Sequence, residues 1–158
     1  MLSCAVSFAG SIKSSGNTSV LKENAVAQIA FDFSGSRWEE DEDFKAYCGN
    51  AYDERVRIAH DSFVNTFNRM SKGLKISENA EGTKYKVVVK VLNFVQKMAM
   101  VGWGRFSIRI YANIEIQDTS NGNTICSFYA KGVSGGADYS QDERFNKSWG
   151  EMAKEILK

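Results

Sequence analysis

The chain has no proline, one histidine and three cysteines in 158 residues. Without proline, folding has no slow prolyl isomerisation step. Once a signal-like start carrying Cys4 is set aside, one histidine and at most two cysteines fall short of the donor set of an ordinary structural zinc site. Charge of one sign is missing too. The 20 basic and 19 acidic residues leave a net charge of +1, so bulk electrostatics favours neither nucleic acid nor an acidic membrane surface. No apolar run approaches the length needed to span a bilayer.

What is present suits one domain. A chain of this length buries roughly 70% of its unfolded surface, enough for a core without metal or disulfide staples. The first nine residues stand apart. Met1 to Ala9 is short, apolar and uncharged, and Ser7-Phe8-Ala9 has the small-x-small pattern of a signal-peptidase site. With no basic residue ahead of it, residues 1–9 read as the tail of a secretory signal, and residues 10–158 as the domain. The Ser/Gly/Asn-rich stretch Gly10 to Thr18 then reads as a polar mature N-terminus. A lipid-anchored Cys4 fits less well, because Met1 stands where that motif wants leucine. In an oxidising compartment Cys48 and Cys126 would remain as a candidate disulfide; otherwise both are small buried hydrophobes.

Hydrophobic periodicity orders the domain. Thr18–Leu21 and Ala25–Phe33 read as strands. From an N-cap at Asn50, Tyr52, Val56, Ala59, Phe63, Phe67 and Met70 form one apolar helical stripe ending before a C′ glycine, Gly73. Tyr85 to Gln96 reads as a strand with Tyr85, Val87, Val89, Val91 and Val95 on one face, and Val88, Leu92 and Phe94 on the other. In the next strand Phe106, Ile108, Ile110, Ala112, Ile114 and Ile116 alternate strictly with polar or amphipathic residues. Gly132 to Ala137 is a connector. Ser140-Gln-Asp-Glu143 is a capping box, and Phe145, Trp149, Met152 and Ile156 line a C-terminal helix. The resulting class is α+β, a mostly antiparallel sheet in ββ-α-βββ-α order with both amphipathic helices on one face.

The last hairpin fixes a register. A two-residue turn at Asn121-Gly122 pairs Ser120 with Asn123 and sets Ile116 opposite Ser127. A three-residue loop, Ser120-Asn121-Gly122, with Gly122 in the left-handed bulge position, sets Ile116 opposite Cys126, Ile114 opposite Phe128 and Ala112 opposite Ala130. Only the second keeps the apolar side chains on one face, and it points Cys126 into the core.

Catalytic chemistry finds little support. His60 lies beside the helical stripe, and its neighbour Asp61 does not face it. It reads as a histidine at the core's edge. The acidic run from Trp38 to Asp43 lacks the alternation of a calcium loop and reads as a solvated helix start. Gly102-Trp103-Gly104 sits between strands, whereas a phosphate cradle opens a helix. That loop is nevertheless apolar where loop tips are normally polar. Met98, Met100, Val101 and Trp103 lie between Lys97 and Arg105, a mixture of adaptable thioethers, an aromatic and cations suited to a contact surface. The alternative is that the loop folds back over the core.

The run Val101-Gly-Trp-Gly-Arg-Phe-Ser-Ile-Arg-Ile-Tyr-Ala-Asn-Ile-Glu-Ile-Gln-Asp, then Asn121-Gly-Asn-Thr-Ile-Cys, resembles small exported domains of unknown function from bacterial envelopes, especially of the Bacteroides type. Ser19-Val-Leu-Lys-Glu and Phe31-Asp-Phe-Ser34 are similar to their opening strands. The resemblance implies a domain akin to the periplasmic modules of TolB-like and curli-secretion lipoproteins, periplasmic or secreted, which binds or assembles rather than catalyses. It brings no cofactor and no set of functional residues. The expectation is therefore a non-enzymatic binding domain that contacts a protein or envelope component through the Met98–Trp103 loop. The alternatives are a carrier holding a small apolar ligand between sheet and helix, and an enzyme working with carboxylates alone.

Overall fold

The computed structural model describes residues 10–99 and 103–158, so the signal-like segment 1–9 lies outside the described residues. Its elements run β1 (Ser11–Gly16), β2 (Val26–Asp32), β3 (Arg37–Trp38), β4 (Glu42–Asp43), α1 (Phe44–Cys48), α2 (Tyr52–Met70), β5 (Lys75–Ser77), β6 (Tyr85–Met98), β7 (Phe106–Asp118), β8 (Thr124–Val133) and α3 (Gln141–Ile156). The sheet order is β1-β8-β7-β6-β2-β5, with the β3–β4 hairpin beside the second half of β6.

The sheet is mixed rather than mostly antiparallel throughout. β1, β8, β7 and β6 are antiparallel neighbours, but β2 runs parallel to both β5 and β6, and β3 runs parallel to β6. The cause is the helical connection. A helix crossing over the sheet returns the chain to the edge it left, so the strands on either side of α2 run the same way.

Both long helices cover one face. Ala59, Phe63 and Phe67 of α2, and Phe145, Trp149, Met152 and Ile156 of α3, are buried with Ile29, Val87, Val89, Ile110, Ile114 and Phe128 of the sheet. Aromatic rings fill the space between the layers. Phe44 lies 4.2 Å from Phe94, and Trp149 meets Phe31, Phe63 and Phe94 edge-on at 5.8, 6.5 and 6.2 Å. Edge-to-face pairs of this kind add about 0.5–1.5 kcal/mol each beyond the area they bury.

Several local expectations are corrected. Within the polar stretch Gly10 to Thr18, to which the sequence reading assigns no strand, Ser11–Gly16 pairs with β8 as an edge strand. Thr18–Lys22 is a 3₁₀ turn rather than a strand, since the Asn17 side chain accepts from Ser19 N and starts a helical turn. Asn50 does not cap the first long helix. Helical backbone begins at Phe44, where Asp43 accepts from Ala46 N at 2.9 Å, and continues through a 3₁₀ turn into α2. The acidic run is thus a small hairpin whose last carboxylate caps α1. Glu39 and Glu40 adopt left-handed φ angles of 51° and 71°. Glu39 N donates to Phe94 O, Glu40 N to Asn93 Oδ1, and Gln96 N to Glu39 Oε1. Gly73 serves packing rather than a left-handed cap: a Cβ there would stand 2.6 Å from Leu21 O.

In β6 a bulge at Leu92 shifts the alternation. Val91 opposes Ala112 and Asn93 opposes Tyr111. Phe94 therefore turns into the core, where it is fully buried, and Val95 turns out, the reverse of the simple period of two. The β7–β8 register matches the sequence reading at Ile116–Cys126, Ile114–Phe128 and Ala112–Ala130. The loop does not. Asp118 and Asn123 close it, Gln117 opposes Thr124, and a bulge between Ile116 and Gln117 absorbs the difference. Thr119 leaves the hairpin because its N–H donates to Lys84 O and its hydroxyl to Thr83 O. Gly122 is left-handed, with φ 71°.

Cys126 points into the core, and Cys48 ends α1; both are free thiols. Cys126 sits between Gly16 of β1 and Ile116 of β7, while α1 packs against β3 and α2. Burial pushes the Cys48 thiol up to about 11 and raises that of Cys126 as well.

Candidate functional site: the tip of the β6–β7 hairpin

β6 and β7 are the longest strands of the sheet, and their hydrogen bonding continues to the tip. Met98 pairs with Phe106, and Ala99 N donates to Arg105 O at 2.9 Å. Two described side chains at this end face outward. Trp103 is 97% exposed and Met98 68% exposed. Neither covers the core. Met100 and Val101 lie outside the described residues.

The base of the tip is stitched to the start of α3. Phe106 and Asp138 exchange backbone hydrogen bonds at 3.1 and 2.9 Å. Arg105 donates to Ala137 O and lies over the Tyr139 ring, 5.8 Å from its centroid. Gly104 is left-handed and passes beside the same ring. Arg144, only 7% exposed, reaches from α3 to Asp138 O and Tyr139 O at 2.7 Å, and to Gly104 O and Gln96 Oε1 at 3.3 Å. Its guanidinium also lies 4.9 Å from the Phe106 ring centroid. Asp138 accepts from Lys147 Nζ at 2.8 Å and from Ser140 N, and these bonds hold its carboxyl below the usual carboxylate range.

The structure thus brings Met98, Trp103 and Arg105 to one tip and adds Tyr139, which is 66% exposed. Sequence reading missed Tyr139 and Arg144. Tyr139 directly precedes the cap residue Ser140, and Arg144 precedes the stripe residue Phe145; both positions ordinarily face solvent. The arrangement presents an indole, a phenol and a thioether beside a cation on a fixed base. Aromatic side chains beside an arginine are the residue types favoured at contact surfaces.

Elsewhere, Glu54, Arg57, Asp61, Asp142 and Glu143 line a shallow depression in which Arg57 pairs with Glu54 and Asp61. His60 contacts Glu78 through Nδ1 and lies 4.2 Å from the Phe31 ring, at the edge of the core. Among the described residues no three histidine, cysteine, aspartate or glutamate side chains converge as metal donors. Among the same residues, no helix is long and apolar enough to cross a membrane.

Comparison with solved structures places the fold. Two crystal structures of the PelC dodecamer from Paraburkholderia phytofirmans, one of them a point variant, superpose with TM-scores of 0.53 and 0.52 at 15% identity. Each match covers 94% of this chain and 96% of the PelC chain. The chain has the fold of PelC. A DUF330 protein from Xanthomonas campestris matches at 12% identity with a TM-score of 0.49, over 94% of this chain and 90% of that one. These three structures give no instance of the finer likeness to TolB-like or curli-secretion modules. No family model matches the sequence, and no curated protein does.

Proposed function

We propose that this chain is a non-enzymatic binding or assembly domain of the bacterial envelope, periplasmic or secreted, that docks a protein or another envelope component through the β6–β7 tip. The observation that carries the reading is the exposure of Trp103 on a hairpin whose base is fixed by buried Arg144. An exposed tryptophan does nothing for the fold, whereas a seated one is a typical anchor: truncating such a residue commonly costs about 2 kcal/mol or more of binding. A rigid base reduces the ordering cost on docking, because the strands are already in place. The likeness to PelC supports an assembly role, since PelC is seen as a dodecamer.

The test is affinity capture from the native cell envelope with the unsubstituted chain and with Met98→Ser/Trp103→Ser. Loss of the captured component, with thermal unfolding unchanged, supports the reading. Equal capture by both proteins overturns it.

A further inference from the structure

A second surface lies at the far end of α3 from the tip. There the apolar stripes of both helices end, that of α3 at the buried Ile156 and that of α2 at an uncovered methionine. Met70, the last residue of α2, is 43% exposed. Leu157 follows the end of α3, and between them Leu21, Ile156 and Phe128 of β8 form the floor of a groove of about 590 Å³. This is within the roughly 300–1,000 Å³ of small-ligand pockets. Ser14, Thr18, Ser71, Lys22, Lys72 and Lys158 also line it, and the lining includes no carboxylate side chain.

The charges are uneven in a useful way. Lys158 is engaged by Glu155. Lys22 and Lys72 are exposed and make no ion pair among the described residues. Glu23, beside Lys22, is occupied by the Tyr85 hydroxyl. The carbonyl end of α2, which would repel an anion, is partly neutralised by Lys75, whose Nζ reaches Asn68 O at 2.7 Å and also Ser71 O. The groove therefore pairs an apolar floor with two free cations on the rim.

We infer that this groove binds a free long-chain fatty acid, the acyl chain lying on Leu21, Met70, Phe128, Ile156 and Leu157 and the carboxylate meeting Lys22 and Lys72. One apolar chain with one anionic end matches a lining that is apolar within and cationic at the edge. A second copy of this chain would have to bring an acidic apolar surface of the same shape. The site is separate from the tip, so the two readings stand or fall independently.

The experiment titrates the full chain with palmitate, kept below its aggregation concentration, by calorimetry and native mass spectrometry, with methyl palmitate as the uncharged probe. One palmitate should bind per chain, and methyl palmitate about tenfold or more weaker, as loss of a charge-assisted contact requires. Lys22→Glu/Lys72→Glu should weaken palmitate about tenfold or more while leaving methyl palmitate unchanged. Met70→Glu should weaken both probes. No palmitate binding, equal affinity for the two probes, or a concentration-dependent dimer dispersed by Met70→Glu would each overturn the inference, the last by showing a second copy as the occupant. All three substituted side chains are exposed. If a variant fails to fold, the comparison of the two probes on the unsubstituted chain decides alone.

Discussion

The two turns at the ends of β7 differ in how fully folding accounts for them. In the β7–β8 turn nearly every residue has local work. Asp118 accepts from Ser120, Asn121 accepts from Asn123 N, Thr119 anchors to Lys84, and Gly122 supplies the left-handed step. At the β6–β7 tip the base is equally well bonded, but Met98 and Trp103 point away from every bond that holds it. Side chains that satisfy the backbone explain the first turn completely. They explain only the base of the second, and the proposed contact surface rests on the remainder.

The sharpest way to break that contrast is at the base. Arg144→Met should cost about 3 kcal/mol, because it strips a buried cation from the carbonyls of Asp138, Tyr139 and Gly104. Urea unfolding measures the loss, and a change near zero would mean that the tip stands without its brace. Next is Gly122→Ala. Nothing lies within 4 Å of the new Cβ, so the expected loss of about 1 kcal/mol is purely the cost of a left-handed alanine.

Acid should expose the polar turn more gently. The Ser120 side-chain and backbone hydrogen bonds hold the Asp118 carboxyl below its ordinary 3.8. A depressed folded value stabilises above the unfolded pKa and is lost as pH falls through the folded one. The urea midpoint should therefore drop as pH falls below about 4, and Asp118→Asn should flatten part of that drop. Asp32, Glu54 and Asp138 are also lowered by hydrogen bonds and add to the drop. The smallest effect belongs to the tip itself. Trp103→Ser should change stability by no more than about 0.5 kcal/mol, as expected of an exposed side chain free of structural duties. A larger loss would show that Trp103 works for the fold after all.

How much of this was legible in the sequence depended on whether the signal was local. The stripes of α2 and α3 and the Ser140 cap are written in residues within a few turns of one another. So is the inward Cys126, because a one-residue slip would bury polar groups. The bulge at Leu92 was not legible, since nothing local distinguishes Leu92 from its neighbours in an apolar run. The parallel course of β2 and β6 depends on where α2 delivers the chain. The polar edge strand β1 carries no hydrophobic pattern and gains its structure from β8 alone. The same reasoning covers the tip: Met98, Trp103 and Arg105 were conspicuous by composition, whereas Tyr139 and Arg144 join them only through a contact that spans some forty residues.

The Phe106–Asp138 bridge gives the tip a mechanical character. With Arg144 clamped across it, the hairpin end and the first turn of α3 form one piece, and α3 runs its whole length against the sheet. The described base of the tip is thereby tied both to β7, into which its chain runs, and to a helix sixteen residues long. The tip acts as a handle fixed to the body of the domain.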